Sequence, residues 1–402
     1  MSLPIVCIPP VLSKMLEPYR DFFSKPQFNQ FKKLVTGLIV SENKTIQEIN
    51  DSFGKRHQSN MNRFVSHSKW DLDELNIIRI NQVKDTLHLR KKGILIIDES
   101  LVHKTGKKME LAGVHRSGVK KKLDWGHMLV NAYYTDSDDN DFPVKSDVYV
   151  REKDCEKYLI DHFKTKREIG LEQLDFALDV GLPVGLILAD AGYQGEDFIR
   201  ELIDRSMDFV VGIRTTTKIS INRGKRVSVA EYLDTINDDD FDIYVTENSG
   251  YFYHIKEASI RGIGKVKMII SYKYGDEENV KCYITNLDED NETIIKILIK
   301  RWRIECFHRD AKQHLGLEAY QVRKGRGMQV VALAILTAYT LAILARRILK
   351  TPIRSLKTIG EICRYLALIA YKGIRWIRDK MKKPLEFLKL LKNLVFVKNA
   401  KV

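Results

Sequence analysis

Cysteine is scarce: five residues in 402, at positions 7, 155, 282, 306 and 363, odd in number and never in a CxxC pair. That spacing excludes a disulfide framework and a zinc knuckle, and it fits a reducing cytoplasm. The opening MSLPIVCIPPVLSKMLEPYR has no basic stretch ahead of its short apolar segment and no small-residue cleavage pattern, so a secretory signal is not expected. Long apolar runs are missing too. The nearest, 330–345, falls short of the ~20 residues that span a bilayer and contains Thr337, Tyr339 and Thr340. It predicts a helix buried in a large core, with no membrane partner. No internal repeat or low-complexity segment stands out.

What is present is apolar material and positive charge. At 44% hydrophobic and 30% charged, the chain can bury a full core and predicts two or three domains. A net charge of +14 favours a polyanionic partner, nucleic acid ahead of an anionic membrane. The charge is segregated: residues 341–402 hold 16 Lys plus Arg against 3 Asp plus Glu, which accounts for +13 of the total. Ile359, Ile362, Leu366, Ile369, Leu385 and Leu388 recur there at helical spacing. The tail therefore reads as basic amphipathic helices, whose charged face is either solvated or turned to phosphates.

Residues 10–90 show helical periodicity. Thr45 is placed to cap TIQEIND, a break falls around 54–57, and SNMNRFVSH follows, a helix-turn-helix pattern that a small bundle shares. From Gly93 the pattern changes. GILIID is a continuous apolar run suited to a strand buried on both faces, and KKMELAGVHR and GHMLVNAYYTD alternate like its antiparallel neighbours. CEKYLIDHFKTKREIGLEQLDFALDVG predicts one long helix, PVGLILAD a second buried strand, GEDFIRELIDRS a helix and MDFVVGIR a strand. Three antiparallel strands, a helix and two further strands outline an α/β fold with an RNase H-like core. Short strand-like pieces through 215–286 predict an inserted β-rich subdomain, and helix returns at Glu292.

Two acidic residues end apolar strands, Asp98 in GILIIDES and Asp190 in GLILADAGY. The carboxyl ends of strands are where α/β sheets hold ligands, although a lone Asp there also forms turns. A third carboxylate, Glu305, lies in KRWRIECFHRDAKQHLGLEAYQ. On a helix, Arg301, Glu305, His308 and Lys312 fall within roughly 60° of arc and so share one face, which is either a functional stripe or a solvated one. Glu99 is expected to leave the first strand on the face opposite Asp98 and to play a secondary or loop role.

Asp98, Asp190 and Glu305 resemble the DDE triad of cut-and-paste transposases from bacterial and archaeal insertion sequences. The spacing of Arg301, Glu305 and Lys312 is similar to the Arg-x3-Glu-x6-Lys part of the Tyr-x2-Arg-x3-Glu-x6-Lys signature of that group. Leu298 stands where the signature has its Tyr. RFVSHSKWDLDELN, IIDESLVHKTGKKMELAGVH, WGHMLVNAYY and LILADAGYQG likewise resemble blocks of the insertion-sequence-four type. The resemblance implies a helical N-terminal DNA-binding domain over 1–90, an RNase H-like catalytic core over 91–214 and 287–349, a β insertion over 215–286 and a basic helical C-terminal region over 350–402. It further implies a prokaryotic, nucleoid-associated cytoplasmic protein acting as a homodimer on double-stranded DNA, both the terminal inverted repeats of its element and the target.

The chemistry that such a triad serves is strand cleavage and strand transfer by in-line displacement, with two Mg²⁺ ions, or Mn²⁺ in their place, on oxygen ligands. Asp98 would bridge the ions while Asp190 and Glu305 each hold one. Arg301 and Lys312, with His308 and Lys104, would contact DNA phosphates, and His103 and Tyr193 would shape the site. Tyr251, Phe252 and Tyr253, or Tyr272 and Tyr274, are candidates to stack an extruded base, or else core residues. Two other readings stand beside this one. Asp98 as a phosphatase nucleophile lacks the second Asp expected at position 100, where Ser stands. A transposase-derived protein that binds DNA without cutting it would not need the intact Asp, Asp, Glu set.

Overall fold

The run GILIIDES, apolar on both faces for its first five positions, forms the central strand β1 (Gly93–His103) of a large mixed sheet. A computed structural model describes residues 4–54, 58–116, 122–221, 224–247, 249–349 and 356–371. Beside β1 runs β3 (Leu123–Thr135), antiparallel to it and joined by the short β2 (Gly113–Arg116) and by β4 (Asp141–Tyr149). On the other side of β1, β5 (Val184–Ala189) and β6 (Asp208–Ile213) are parallel to it. The order β4-β3-β1-β5-β6, three antiparallel strands followed by two parallel ones, is that of an RNase H-like core. The third antiparallel strand is thus Asp141–Tyr149 rather than KKMELAGVHR, of which only Gly113–Arg116 is strand. Leu111 adopts a left-handed backbone, φ 63°, and the Glu110 carboxylate accepts from the Gly325 amide and from Lys324, which turns that segment away from the sheet.

The sheet continues beyond β6. After the small pair β7 (Lys218–Ile219) and β8 (Val227–Ser228) come β9 (Asp242–Thr246), β10 (Ser249–Ile260), β11 (Gly264–Lys273) and β12 (Asp276–Thr285). β12 pairs with β6, and β11, β10 and β9 follow in order, so the strands expected to form an inserted subdomain extend the central sheet to ten strands.

Helices cover the sheet on either side of it in sequence. The first five are α1 (Pro10–Leu16), α2 (Lys25–Val40), α3 (Ile46–Ser52), α4 (Gln58–His67) and α5 (Leu72–Leu87). Thr45 caps α3 by accepting from the Glu48 amide, and two residues past its end stands Gly54, whose φ of +91° suits glycine. The predicted long helix is broken into α6 (Glu152–Cys155) and α7 (Lys166–Asp179). Leu159 turns left-handed at φ 53°, and Thr165 with Glu168 forms a capping box that starts α7 afresh. Then follow α8 (Glu196–Asp204), α9 (Val229–Leu233), α10 (Asn291–Ile299), α11 (Trp302–His314), α12 (Gly325–Ile348) and α13 (Ile359–Ala370).

Helix α12 is long and apolar enough to cross a membrane, yet 94% of its most apolar stretch is buried inside the fold. It packs against α2, α4, α5 and β4, so the N-terminal helices share one continuous core with the C-terminal half of the chain. Arg79 of α5, fully buried, locks that junction. Its guanidinium donates to the carbonyls of Pro143 and Val144, to Asn76 and to Thr340 Oγ1 on α12. Of the predicted basic tail, α13 packs on α2 and α12, while 350–355 and 372–402 lie outside the described residues.

Candidate active site

Parallel pairing of β1 with β5 runs to Ile97 and Ala189, and the next residue on each strand is the aspartate. Asp190 leaves β5 in an extended conformation and accepts from the Gly192 amide at 2.8 Å. Gly212 of β6 makes room for that turn, since a Cβ there would stand 2.5 Å from the Ala191 nitrogen. Asp98 is not a strand end, because β1 continues with β3 to His103. It stands where β1 loses its parallel neighbour.

Glu99 leaves β1 toward α7, as alternation requires, and its Oε1 accepts from Lys166 Nζ at 2.6 Å. Because β5 stops at Ala189, no strand separates the two faces here, and the longer Glu stem brings its carboxylate back to the aspartates. Asp98, Glu99 and Asp190 each offer an oxygen within 4.8 Å of the others, the one grouping of three potential metal ligands at that distance among the described residues. Glu99 Oε2 is buried with no hydrogen-bond partner. Glu99 thus stands in the acidic cluster beside the two aspartates, on β1 and not in a loop.

Glu305 stands apart from this group. It lies on α11, where Arg301 Nη2 donates to its Oε1 at 2.5 Å. Arg301 in turn lies close enough to Asp98 and Tyr283 for both to favour its charge, against the burial that disfavours it. The predicted helical face does lie along β1: Lys312 Nζ donates to the Leu101 carbonyl at 3.0 Å, and His308 Nδ1 is 4.0 Å from Asp98 Oδ2. His308 Nε2 meets Asn131 Nδ2 at 3.1 Å, and Asn131 is paired opposite Asp98 in the sheet. With the amide donating to Nε2, the ring proton sits on Nδ1 and faces Asp98.

Electrostatically the cluster is under tension. Burial, then repulsion from Asp190 and Glu99, pushes Asp98 up from 3.8 to about 8. Asp190 is raised by burial and by Glu99. Burial and Lys312 push His308 down to about 3, so its imidazole is neutral at physiological pH. Buried and neutral, His308 faces Asp98 from 4.0 Å and not the solvent, a placement unlike that of the phosphate contact expected of it. Lys104 is likewise corrected: only 5% exposed, it donates to the Glu318 and Tyr320 carbonyls, lies over the Tyr320 ring, and is pushed down to about 7 by burial. It braces the segment after α11.

Of the shaping candidates, His103 lies 2.9 Å from Asp124 Oδ1 at the far end of β1, away from the carboxylates. Tyr193 is fully buried and packs on Phe198, with its hydroxyl close to Glu99, Asp98 and Asp190. In the extended sheet, Phe252 stacks on Tyr272 at 5.0 Å and Tyr274 is 71% exposed, whereas Tyr253 is buried. Lys166, Asn131 and Tyr283 were missed from the sequence, and Glu99 was given only a secondary or loop role. Asn131 had a signal, being the lone polar residue in the run MLVNAYY.

All three clustered donors are hard carboxylate oxygens, and one is buried without a partner, which fits a divalent cation such as Mg²⁺. Residues 19–226 match the family described as DDE superfamily endonuclease, and 167–341 match the transposase DDE domain. Over 207 residues the chain is 29% identical to the probable transposase for insertion sequence element IS701 of Microchaete diplosiphon, covering 50% of this chain and 53% of that protein. The chain thus spans about half the length of that relative. A solved piggyBac transposase synaptic complex with hairpin DNA overlaps 98% of this chain and 82% of its own, at a TM-score of 0.48 and 9% identity.

Proposed function

The chain belongs to the DDE superfamily endonucleases, and from that premise we propose that it is an insertion-sequence transposase that binds the ends of its element and cuts and joins DNA strands there. The observation that carries the reading is the meeting of Asp98 and Asp190 where the parallel pairing of β1 with β5 stops, with Arg301, just ahead of α11, near Asp98 and bonded to Glu305. A divalent cation held by these carboxylates, Mg²⁺ or Mn²⁺, would activate the attacking oxygen and stabilise the leaving one. Arg301, poised between Glu305 and Asp98, would take a phosphate oxygen flanking the scissile bond. His308 would line the site beside Asp98, and Lys312 would fix α11 on β1.

Arg301, Glu305 and Lys312 support the insertion-sequence-four type. Leu298, 8% exposed on α10, leaves the Tyr of that signature unmatched. The substrates would be the terminal inverted repeats and a target duplex, engaged by a homodimer, with α3 and α4 reading the ends and the basic tail contacting phosphates. The test is nicking of a duplex carrying the element's end in Mg²⁺. Wild type should cut and Asp98→Asn and Asp190→Asn should not, with DNA affinity nearly unchanged. Turnover of small phosphoesters without DNA cleavage would replace this reading with a phosphatase, and binding without either activity with a DNA-binding protein.

A further inference from the structure

We propose that Glu99 is a ligand in a cation site that is complete before DNA binds, formed by Asp98, Glu99 and Asp190, with Tyr193 as its positioning residue and Glu305 outside it. This rests on the reading above and assigns its ligands differently from the triad read in the sequence.

Three features support it. Asp98, Glu99 and Asp190 already offer oxygens within 4.8 Å of one another, whereas Glu305 is engaged by Arg301. Next, Glu99 Oε2 is buried and lacks a hydrogen-bond partner, an expensive arrangement for a carboxylate unless a cation takes that lone pair. Its other oxygen is held by Lys166, so the free one is the one presented to the aspartates. Finally, the Tyr193 hydroxyl, fully buried, lies among the same three carboxylates and within reach of Glu99, without a well-formed hydrogen bond to it. A phenol so placed can donate to a carboxylate once a cation fixes its orientation, the outer-layer contact that metal-ligating carboxylates commonly have.

The packing keeps these groups in place. Gly170 of α7 lets the helix sit against Ile97 and the Tyr193 ring, since a Cβ there would come 3.3 Å from both. Lys166, the first residue of α7, is thereby delivered to Glu99. Glu305 then has a different part. It stays with Arg301 until a DNA phosphate competes for the guanidinium, and joins the site only in the complex.

The experiment is Mn²⁺ binding to the full DNA-free chain, followed by calorimetry and by the electron paramagnetic resonance of free Mn²⁺. Folding of each variant is checked by its thermal transition in EDTA. Glu99→Gln should weaken binding by roughly tenfold or more and Tyr193→Phe by several-fold, while Glu305→Gln should leave it within about twofold of wild type. Wild-type affinity in Glu99→Gln, or a loss in Glu305→Gln equal to that in Asp98→Asn, overturns the assignment of Glu99. If Asp98→Asn itself binds Mn²⁺ and cuts DNA as wild type does, it is the nuclease reading that fails.

Discussion

Replacing Asp98 by Asn makes permanently neutral one of three carboxyl groups whose oxygens lie within 4.8 Å of one another. At an effective dielectric near 20, two unit charges at that range repel by about 3 kcal/mol, partly offset here by Lys166 and Arg301. Burial first, and then this repulsion, raises Asp98 from 3.8 to about 8. Between those values the folded chain keeps a proton that the unfolded chain has released, so raising the pH through that window removes stability. In EDTA, wild type should therefore lose thermal stability from pH 5 to pH 8. Asp98→Asn should flatten that slope and be more stable than wild type at pH 8 by about 2 kcal/mol. Mg²⁺ at about 100 times its dissociation constant should return about 2.7 kcal/mol to wild type and much less to the variant. Scanning calorimetry across pH, with and without Mg²⁺, measures both, and end cleavage should be lost in the variant. A variant less stable than wild type at pH 8 in EDTA, with equal protection by Mg²⁺, would refute the reasoning and make the cluster structural.

Glu305→Gln should abolish strand cleavage, measured on end-bearing duplex, while DNA affinity measured by gel shift stays close to wild type; retained cleavage would remove Glu305 from the chemistry. On α4, Asn60 and Arg63 are exposed while Met61, Phe64 and Val65 are buried, so Asn60→Ala with Arg63→Ala should cut the preference for cognate over random DNA without lowering the melting temperature. Truncation after Tyr371, which spares the packed α13, should flatten the log-log salt dependence of DNA binding by about 0.9 for each phosphate that the tail neutralises. An unchanged slope in the folded truncation would make the basic tail a solvated surface. Arg79→Leu should destabilise the chain by roughly 3 kcal/mol in denaturant titration, because it strands the Pro143 and Val144 carbonyls in the core.

The buried strands, the two aspartates and the face of α11 were legible because each follows from a local period: continuous apolar runs for strands flanked on both sides, 100° steps for the helix. The broken helix at 159–165 was not, because its apolar spacing is helical and only the capping box at Thr165 and Glu168 marks a restart. Domain boundaries were also out of reach of local pattern. Whether 215–286 folds apart or extends the sheet depends on β12 pairing with the free edge of β6, a pairing between residues some seventy positions apart in sequence.

The secondary role assigned to Glu99 from the sequence has one cause. Alternation places Glu99 on the α7 face, and that is where its backbone puts it, but alternation describes a strand with a neighbour on each side. Beyond Ile97 and Ala189 β1 has lost its parallel neighbour, and at such an edge a carboxylate from either face can reach the same point. The feature that makes the carboxyl end of a parallel pair a place to hold cations is therefore also the feature that defeats a face assignment made from sequence. An acidic residue directly after an aspartate at which a parallel pairing stops is better treated as a candidate ligand whenever the neighbouring strand is followed by its own aspartate, as β5 is by Asp190. The length of the side chain then decides: Glu has the extra methylene to return around the edge, while an Asp at position 99 would be left on the side of Lys166.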